Sequence, residues 1–88
     1  MIIGIPAYDG VDLLDMSGPY EMFHWAGFEI DVLAASPGLK TTGSGFSFLA
    51  DKGFADARSY DAIWVPGGGP AALAAIIDDP ARSYLDFR

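Results

Sequence analysis

Three glycines stand between two prolines in Pro66-Gly67-Gly68-Gly69-Pro70, directly after the apolar run Ala62-Ile63-Trp64-Val65. An apolar run ending in such a turn predicts a buried strand over 61–65 that stops at the glycines. The alanine-rich stretch 71–77 predicts a helix just beyond. Asp78-Asp79-Pro80 ends that helix and opens another through Tyr84 and Phe87. Glycines at a strand-to-helix junction expose backbone N–H groups and admit a ligand close to the chain. The turn is therefore either a tight structural corner or a cradle for a negatively charged atom. Its residues alone leave both open.

The rest of the chain supplies the frame for that turn. Ile2-Ile3-Gly4-Ile5-Pro6 is apolar on both faces, which predicts a first buried strand. Asp9-Gly10 marks a turn in the loop 7–12. A helix is expected to start near Pro19, capped by Ser17 or Gly18, and to run through Tyr20, Phe23 and His24 to Gly27. Residues 28–34 alternate and then turn apolar, as a second strand does. About twenty residues separate the two strands, enough for a right-handed helical crossover to a parallel neighbour. Ser36-Pro37-Gly38 breaks the second strand, and 39–42 and 46–50 predict a hairpin around Gly43-Ser44-Gly45. Residues 54–60 read as a helical turn and loop.

This order predicts a single α/β domain with an open parallel sheet. A doubly wound domain normally has further strands, and a 51% hydrophobic share suits a larger core than 88 residues build. The expectation is the N-terminal half of a domain, completed by a remainder in the same or another chain.

In open parallel sheets ligands bind beyond the carboxyl ends of the strands. Asp9, Asp12 and Asp15 follow the first predicted strand and Gly67 to Gly69 follow the third, so both groups should share one edge. There the glycine turn could aim N–H groups at a developing oxyanion. Asp15, between Leu14 and Met16, is a candidate acid, base or hydrogen-bond donor to a substrate or thiolate if an apolar pocket raises its pKa. Its bland alternative is a helix cap or an exposed loop carboxylate. Three loop acids in an acidic chain do not by themselves make a magnesium site, and no metal or cofactor is expected. His24 reads as an interface or partly buried residue rather than a base, and Trp25, Trp64, Phe46 and Phe48 as core or subunit contacts.

Composition removes several function classes. The net charge is −7, from five basic and twelve scattered acidic side chains, which disfavours nucleic acid or an anionic membrane as partner. There is no cysteine, hence no disulfide, thiolate zinc site or catalytic thiol within these residues. Apolar stretches too short to span a bilayer and the lack of a signal-peptide pattern make a cytoplasmic location the expectation. The triple glycine lacks the Gly-Lys-Ser/Thr of a phosphate loop, and no dinucleotide fingerprint follows the first strand. The acids of that loop would repel phosphate, FMN included. A phosphate-receiving regulator would want an aspartate where Pro66-Gly67 stands.

Ile3-Gly4-Ile5 leads into Asp12-Leu13-Leu14-Asp15-Met16-Ser17-Gly18-Pro19-Tyr20-Glu21, and Tyr60-Asp61-Ala62-Ile63-Trp64-Val65-Pro66-Gly67-Gly68 follows. Together these resemble the ThiJ/PfpI superfamily (class I glutamine-amidotransferase-like), most closely its isonitrile hydratase branch and related sensor domains of transcription regulators. The resemblance runs through essentially the whole chain. It implies a flavodoxin-like parallel-sheet sandwich, of which 1–88 is the N-terminal part, and a homodimer. It also implies a catalytic cysteine on a strand-to-helix elbow. By motif, Asp15 matches the acidic partner of that cysteine, and Gly67 and Gly68 match the backbone donors beside it.

In isonitrile hydratases the thiolate attacks the isonitrile carbon and the acid assists proton transfer towards an N-substituted formamide. The cysteine is expected downstream of these residues, so the segment alone should be inactive. The alternative the resemblance leaves is a catalytically silent ligand-sensing domain attached to a DNA-binding segment. The expected partners are the remainder of the domain, a second copy and a small-molecule substrate.

Overall fold

Ile3 and Ile5 are the fully buried centre of the first strand, and the sheet grows outward from them. The computed structural model describes residues 1–69, so the helices expected over 71–77 and from Pro80 lie outside the described residues. The elements are β1 (Ile2–Pro6), α1 (Leu13–Trp25), β2 (Glu29–Ala34), β3 (Gly38–Thr41), β4 (Ser47–Ala50), β5 (Lys52–Gly53), a short 3₁₀ turn (Phe54–Asp56) and β6 (Ala62–Ile63). Four strands form a parallel sheet in the order β5-β2-β1-β6, while β3 and β4 pair antiparallel as a separate hairpin. The expected α/β parallel sheet is therefore present, with α1 as the crossover between β1 and β2.

The register places Ile3 beside Ile30 and Ile5 beside Val32. On that face Ile3, Ile5, Ala7 and Met16 make the buried core, with Leu13, Phe23, Phe28, Ile30, Val32 and Phe48 packed around it. Burying side chains of this kind stabilises by about 1.5–3 kcal/mol each. The opposite face is built around a charge. Asp31, paired in register with Gly4, is only 4% exposed. It accepts from Lys52 Nζ at 2.7 Å, Arg58 Nε at 2.9 Å and the Tyr60 hydroxyl at 2.8 Å. Tyr60 can reach it because Gly4 has no side chain: a β-carbon there would lie 3.0 Å from the Tyr60 ring.

Two expectations need correction. The first helix begins at Leu13, not near Pro19, because Asp12 caps it by accepting from the backbone N–H of Leu14 and Asp15. Pro19 therefore lies inside the helix. The run before the glycines is not a buried strand: only Ala62 and Ile63 pair, with Ile3 and Gly4. No strand lies beyond β6 among the described residues, and Ile63, Trp64 and Val65 are 37%, 42% and 61% exposed. Of the aromatics read as core or subunit contacts, Phe48 packs on the core, while Trp25 and Phe46 are exposed, which leaves the second of those roles open to them. An unexpected strand, β5, adds to the other edge through Leu33–Lys52 and Ala34–Gly53. No helix among the described residues is long and apolar enough to cross a membrane.

Candidate active site

The loop after β1 and the chain after β6 meet at the carboxyl edge of the sheet. Each of the loop acids has a different local role. Asp9 Oδ1 accepts from the Thr41 N–H at 2.9 Å, tying the loop to the hairpin. Asp12 caps α1, and its own N–H donates to the Gly67 carbonyl at 2.8 Å. Asp15 lies in the first turn of α1 with its side chain exposed, and a β-carbon on Gly67 would lie 2.8 Å from its Oδ2. Asp15 and Gly67, distant in sequence, are thus neighbours. Among the described residues no three acidic, histidine or cysteine side chains gather as a metal would need.

Gly68 is a glycine for want of space, while at Gly67 a β-carbon would meet only the tip of the exposed Asp15 side chain. Neither has a positive φ, unlike Gly10, at 85°, in the preceding loop. A β-carbon on Gly68 would stand 2.8 Å from the Tyr8 hydroxyl and 2.9 Å from the Gly10 carbonyl oxygen. Gly69 would meet nothing within 4 Å among the described residues, so the firm steric demand falls on Gly68.

Pro19 explains how Asp15 is held. A proline inside a helix removes the N–H that should reach the carbonyl four residues earlier. That carbonyl belongs to Asp15, and the indole N–H of Trp64 donates to it instead at 2.9 Å. Trp64 in turn stands edge-on to Phe23, with ring centroids 6.0 Å apart. The Asp-x-x-Gly-Pro motif therefore releases a carbonyl that Trp64, just after β6, captures. A side chain at Gly18 would meet nothing among the described residues, and nothing there explains that glycine.

A cleft of about 390 Å³ opens beside these groups, between α1 and the hairpin turn. It is lined by Leu13, Leu14 and Ser17 of α1, by Gly43 and Ser44 of the hairpin turn, and by Gly10, Asp12 and Gly69. Asp15 and Gly67 stand next to this lining rather than in it. The hairpin is fixed there by Gly10 N–H to the Thr41 carbonyl at 2.8 Å and Gly43 N–H to the Val11 carbonyl at 3.0 Å. Its size suits a small organic molecule.

His24 is not part of this constellation. It lies in the last turn of α1, about 13 Å along the helix from Asp15 at 1.5 Å per residue, exposed and edge-on to Trp25. Two residues that hold the site were not singled out for it by the sequence. Trp64 looked like a core or contact aromatic, and its donor role becomes visible only with Pro19 inside a helix. Tyr8, buried at 3% exposure, donates to the Pro66 carbonyl at 2.8 Å. Burial, then the carboxylates of Asp15 and Asp12, push its phenol above the usual range.

The arrangement offers a carboxylate, a glycine turn and a cleft, but no nucleophilic thiol, since the chain has no cysteine. The DJ-1/PfpI family profile matches residues 2–81. No curated protein matches the chain significantly. Among solved structures, a ThiJ/PfpI family protein from Pseudomonas syringae is 29% identical, with a TM-score of 0.79 over 89% of this chain and 33% of that one. DJ-1 of Schizosaccharomyces pombe is 21% identical, with a TM-score of 0.77 over 91% of this chain and 47% of its own. A two-domain protein from Anabaena variabilis, with DJ-1/ThiJ/PfpI-like and ferritin-like domains, is 24% identical, with a TM-score of 0.79 over 98% of this chain and 26% of that one. The chain thus spans less than half the length of these structures. Its fold is the parallel α/β sheet they share, and with nearly all of its residues matched by the family profile, the chain belongs to the DJ-1/PfpI family.

Proposed function

We propose that these residues form one wall of the active site of an isonitrile hydratase-like enzyme whose cysteine nucleophile lies outside the chain. The observation that carries this reading is the Asp15 carboxylate set against Gly67 at the carboxyl edge of the sheet. In the proposed reaction the thiolate adds to the terminal carbon of R–NC. Asp15 delivers the proton that converts the adduct to the thioimidate R–N=CH–S–Cys. Water adds to the C=N bond, one proton going to the nitrogen and the other returning to the Asp15 carboxylate, and backbone N–H groups of Gly67 and Gly68 hold the negative oxygen that develops. Expulsion of the thiolate releases R–NH–CHO, so that isonitrile plus water gives the formamide. Asp15 is not in the apolar pocket expected from the sequence; what supports its role is its place beside Gly67, with Trp64 holding its backbone.

The complete protein is proposed to act as a homodimer. Leu14, Met22 and Trp25 support this, since they lie along one stripe of α1 and are 74%, 71% and 80% exposed. Sedimentation of the complete protein at twice the monomer mass is the expected result.

The test of the activity is turnover of an aryl isonitrile by the complete protein, with the formamide measured by mass spectrometry. Asp15→Asn is expected to lower kcat by about 100-fold, within the range for a positioned acid–base group, and to keep the melting temperature. A wild-type protein that binds isonitriles without turning them over would favour the ligand-sensing alternative. Equal kinetics for Asp15→Asn and wild type would remove Asp15 from the mechanism.

A further inference from the structure

The glycine turn has a mechanical weakness. A peptide plane flanked by glycine can rotate at little steric cost, because the residue that follows accepts both signs of φ. In a trans peptide the carbonyl and the N–H point in opposite directions, so rotation of the plane reverses the donor. A backbone N–H can serve as an anion-stabilising donor only if something fixes its plane beforehand. For the Gly67–Gly68 peptide the tie is the Asp12 N–H, which donates to the Gly67 carbonyl at 2.8 Å. For the Pro66–Gly67 peptide it is a side chain.

We propose that Tyr8 is a positioning residue that sets the direction of the Gly67 N–H by holding the Pro66 carbonyl. The hydroxyl donates to that carbonyl at 2.8 Å, so the Gly67 N–H is turned away from Tyr8. The ring is immobilised where it acts. Tyr8 is 3% exposed, and Gly68 packs so closely that a β-carbon there would lie 3.0 Å from Tyr8 Cε2. The same closeness explains why glycine occupies position 68. A phenol pushed above its ordinary range by burial and by Asp15 and Asp12 keeps its proton, and so remains a donor near neutral pH. Tyr8 need not contact substrate in this role. It acts through the peptide that would contact it.

The inference rests on the hydratase reading only for its catalytic consequence, and the experiment separates the two. The complete protein, labelled with ¹⁵N-glycine, is compared as wild type, Tyr8→Phe and Tyr60→Phe. Tyr60→Phe is the control, removing a phenol that donates to Asp31 at 2.8 Å on the other face of the sheet. In wild type the Gly67 amide is expected to show the order parameter of rigid backbone, about 0.85. In Tyr8→Phe it is expected to fall towards about 0.6, with the Gly27 amide unchanged, while Tyr60→Phe leaves Gly67 as it is. With an aryl isonitrile, Tyr8→Phe is expected to lower kcat about 10-fold and change KM less than about 2-fold, the pattern of a lost transition-state interaction.

A Gly67 amide equally rigid in Tyr8→Phe and wild type would overturn the proposal, as would loss of rigidity with unchanged kcat. A wild-type Gly67 amide already below about 0.6 is not clamped and would overturn the proposal by itself. If the wild type turns over no isonitrile, the hydratase reading fails, and the order parameters alone judge Tyr8.

Discussion

At Gly67 a side chain and a carboxylate compete for one space. A β-carbon there would lie 2.8 Å from Asp15 Oδ2, well inside contact distance, yet the backbone torsion is one that alanine accepts. Gly67→Ala should therefore fold and displace the carboxylate rather than unfold the sheet. Because the exposed Asp15 side chain can swing aside, stability should stay within about 1 kcal/mol of wild type, with activity down at least about 10-fold, as when a reacting group is misplaced by a fraction of an ångström. Gly69→Ala, which meets nothing within 4 Å among the described residues, is the matched control. Its stability should stay within about 0.5 kcal/mol of wild type. Denaturant melts and turnover measured on the same preparations check both. Equal activity in Gly67→Ala and Gly69→Ala would mean that the contact with Asp15 has no functional weight.

At the scale of elements, α1 and the segment just after β6 are joined by a hydrogen bond that a helix normally keeps for itself. Pro19 leaves the Asp15 carbonyl without its intrahelical donor, and the Trp64 indole replaces it at 2.9 Å. The two residues should be energetically coupled. Trp64→Phe alone is expected to cost about 1 kcal/mol, a typical net hydrogen bond. In a Pro19→Ala background the helix regains its own N–H at position 19, and the same change should cost little. A double-mutant cycle should thus return about 1 kcal/mol of coupling. Coupling indistinguishable from zero would show that the indole bond is incidental.

This bond also explains why the helix start is hard to read from sequence. Proline in the first turn is the usual pattern, and α1 carries apolar residues on its buried side (Leu13, Met16, Phe23) and its exposed side (Leu14, Met22, Trp25) alike. No stripe announces where it begins. The cap at Asp12 decides the matter, and it was legible only as one acid among three.

The whole molecule was legible where a pattern was local. Ile2 to Pro6, the hairpin around Gly43-Ser44-Gly45 and the approach of Asp15 to the glycine turn follow from apolar runs, turn residues and the rule for parallel sheets. What stayed hidden depends on partners far along the chain. β5 is two residues long, and nothing in Asp51-Lys52-Gly53 marks a strand until β2 offers a ladder and Asp31 a counter-charge. Asp31 is the centre of that concealed part, linking β2 to β5 through Lys52 and to the segment before β6 through Arg58 and Tyr60.

Burial alone would push the Asp31 carboxyl up, but hydrogen bonds from Arg58, Lys52 and Tyr60 outweigh it and hold the pKa at about 2. The unfolded chain titrates nearer to the ordinary 3.8. A carboxyl depressed in the folded state binds its proton more readily when unfolded, so its contribution is complete above about pH 5 and fades as pH falls through 4 towards 2. The two values imply about 2 kcal/mol, at about 1.4 kcal/mol per pK unit. Asp31→Asn keeps the shape but cannot ionise, so it resembles the protonated wild type. In denaturant melts of the complete protein, the gap between wild type and Asp31→Asn should therefore narrow by about 2 kcal/mol between pH 5 and pH 2. Taking the difference cancels the other carboxylates of this acidic chain. A gap that stays constant over that range would mean that Asp31 titrates alike in the folded and unfolded chain and that its three donors do not hold its charge, whereas a gap that changes in the opposite sense would mean that they hold a neutral acid.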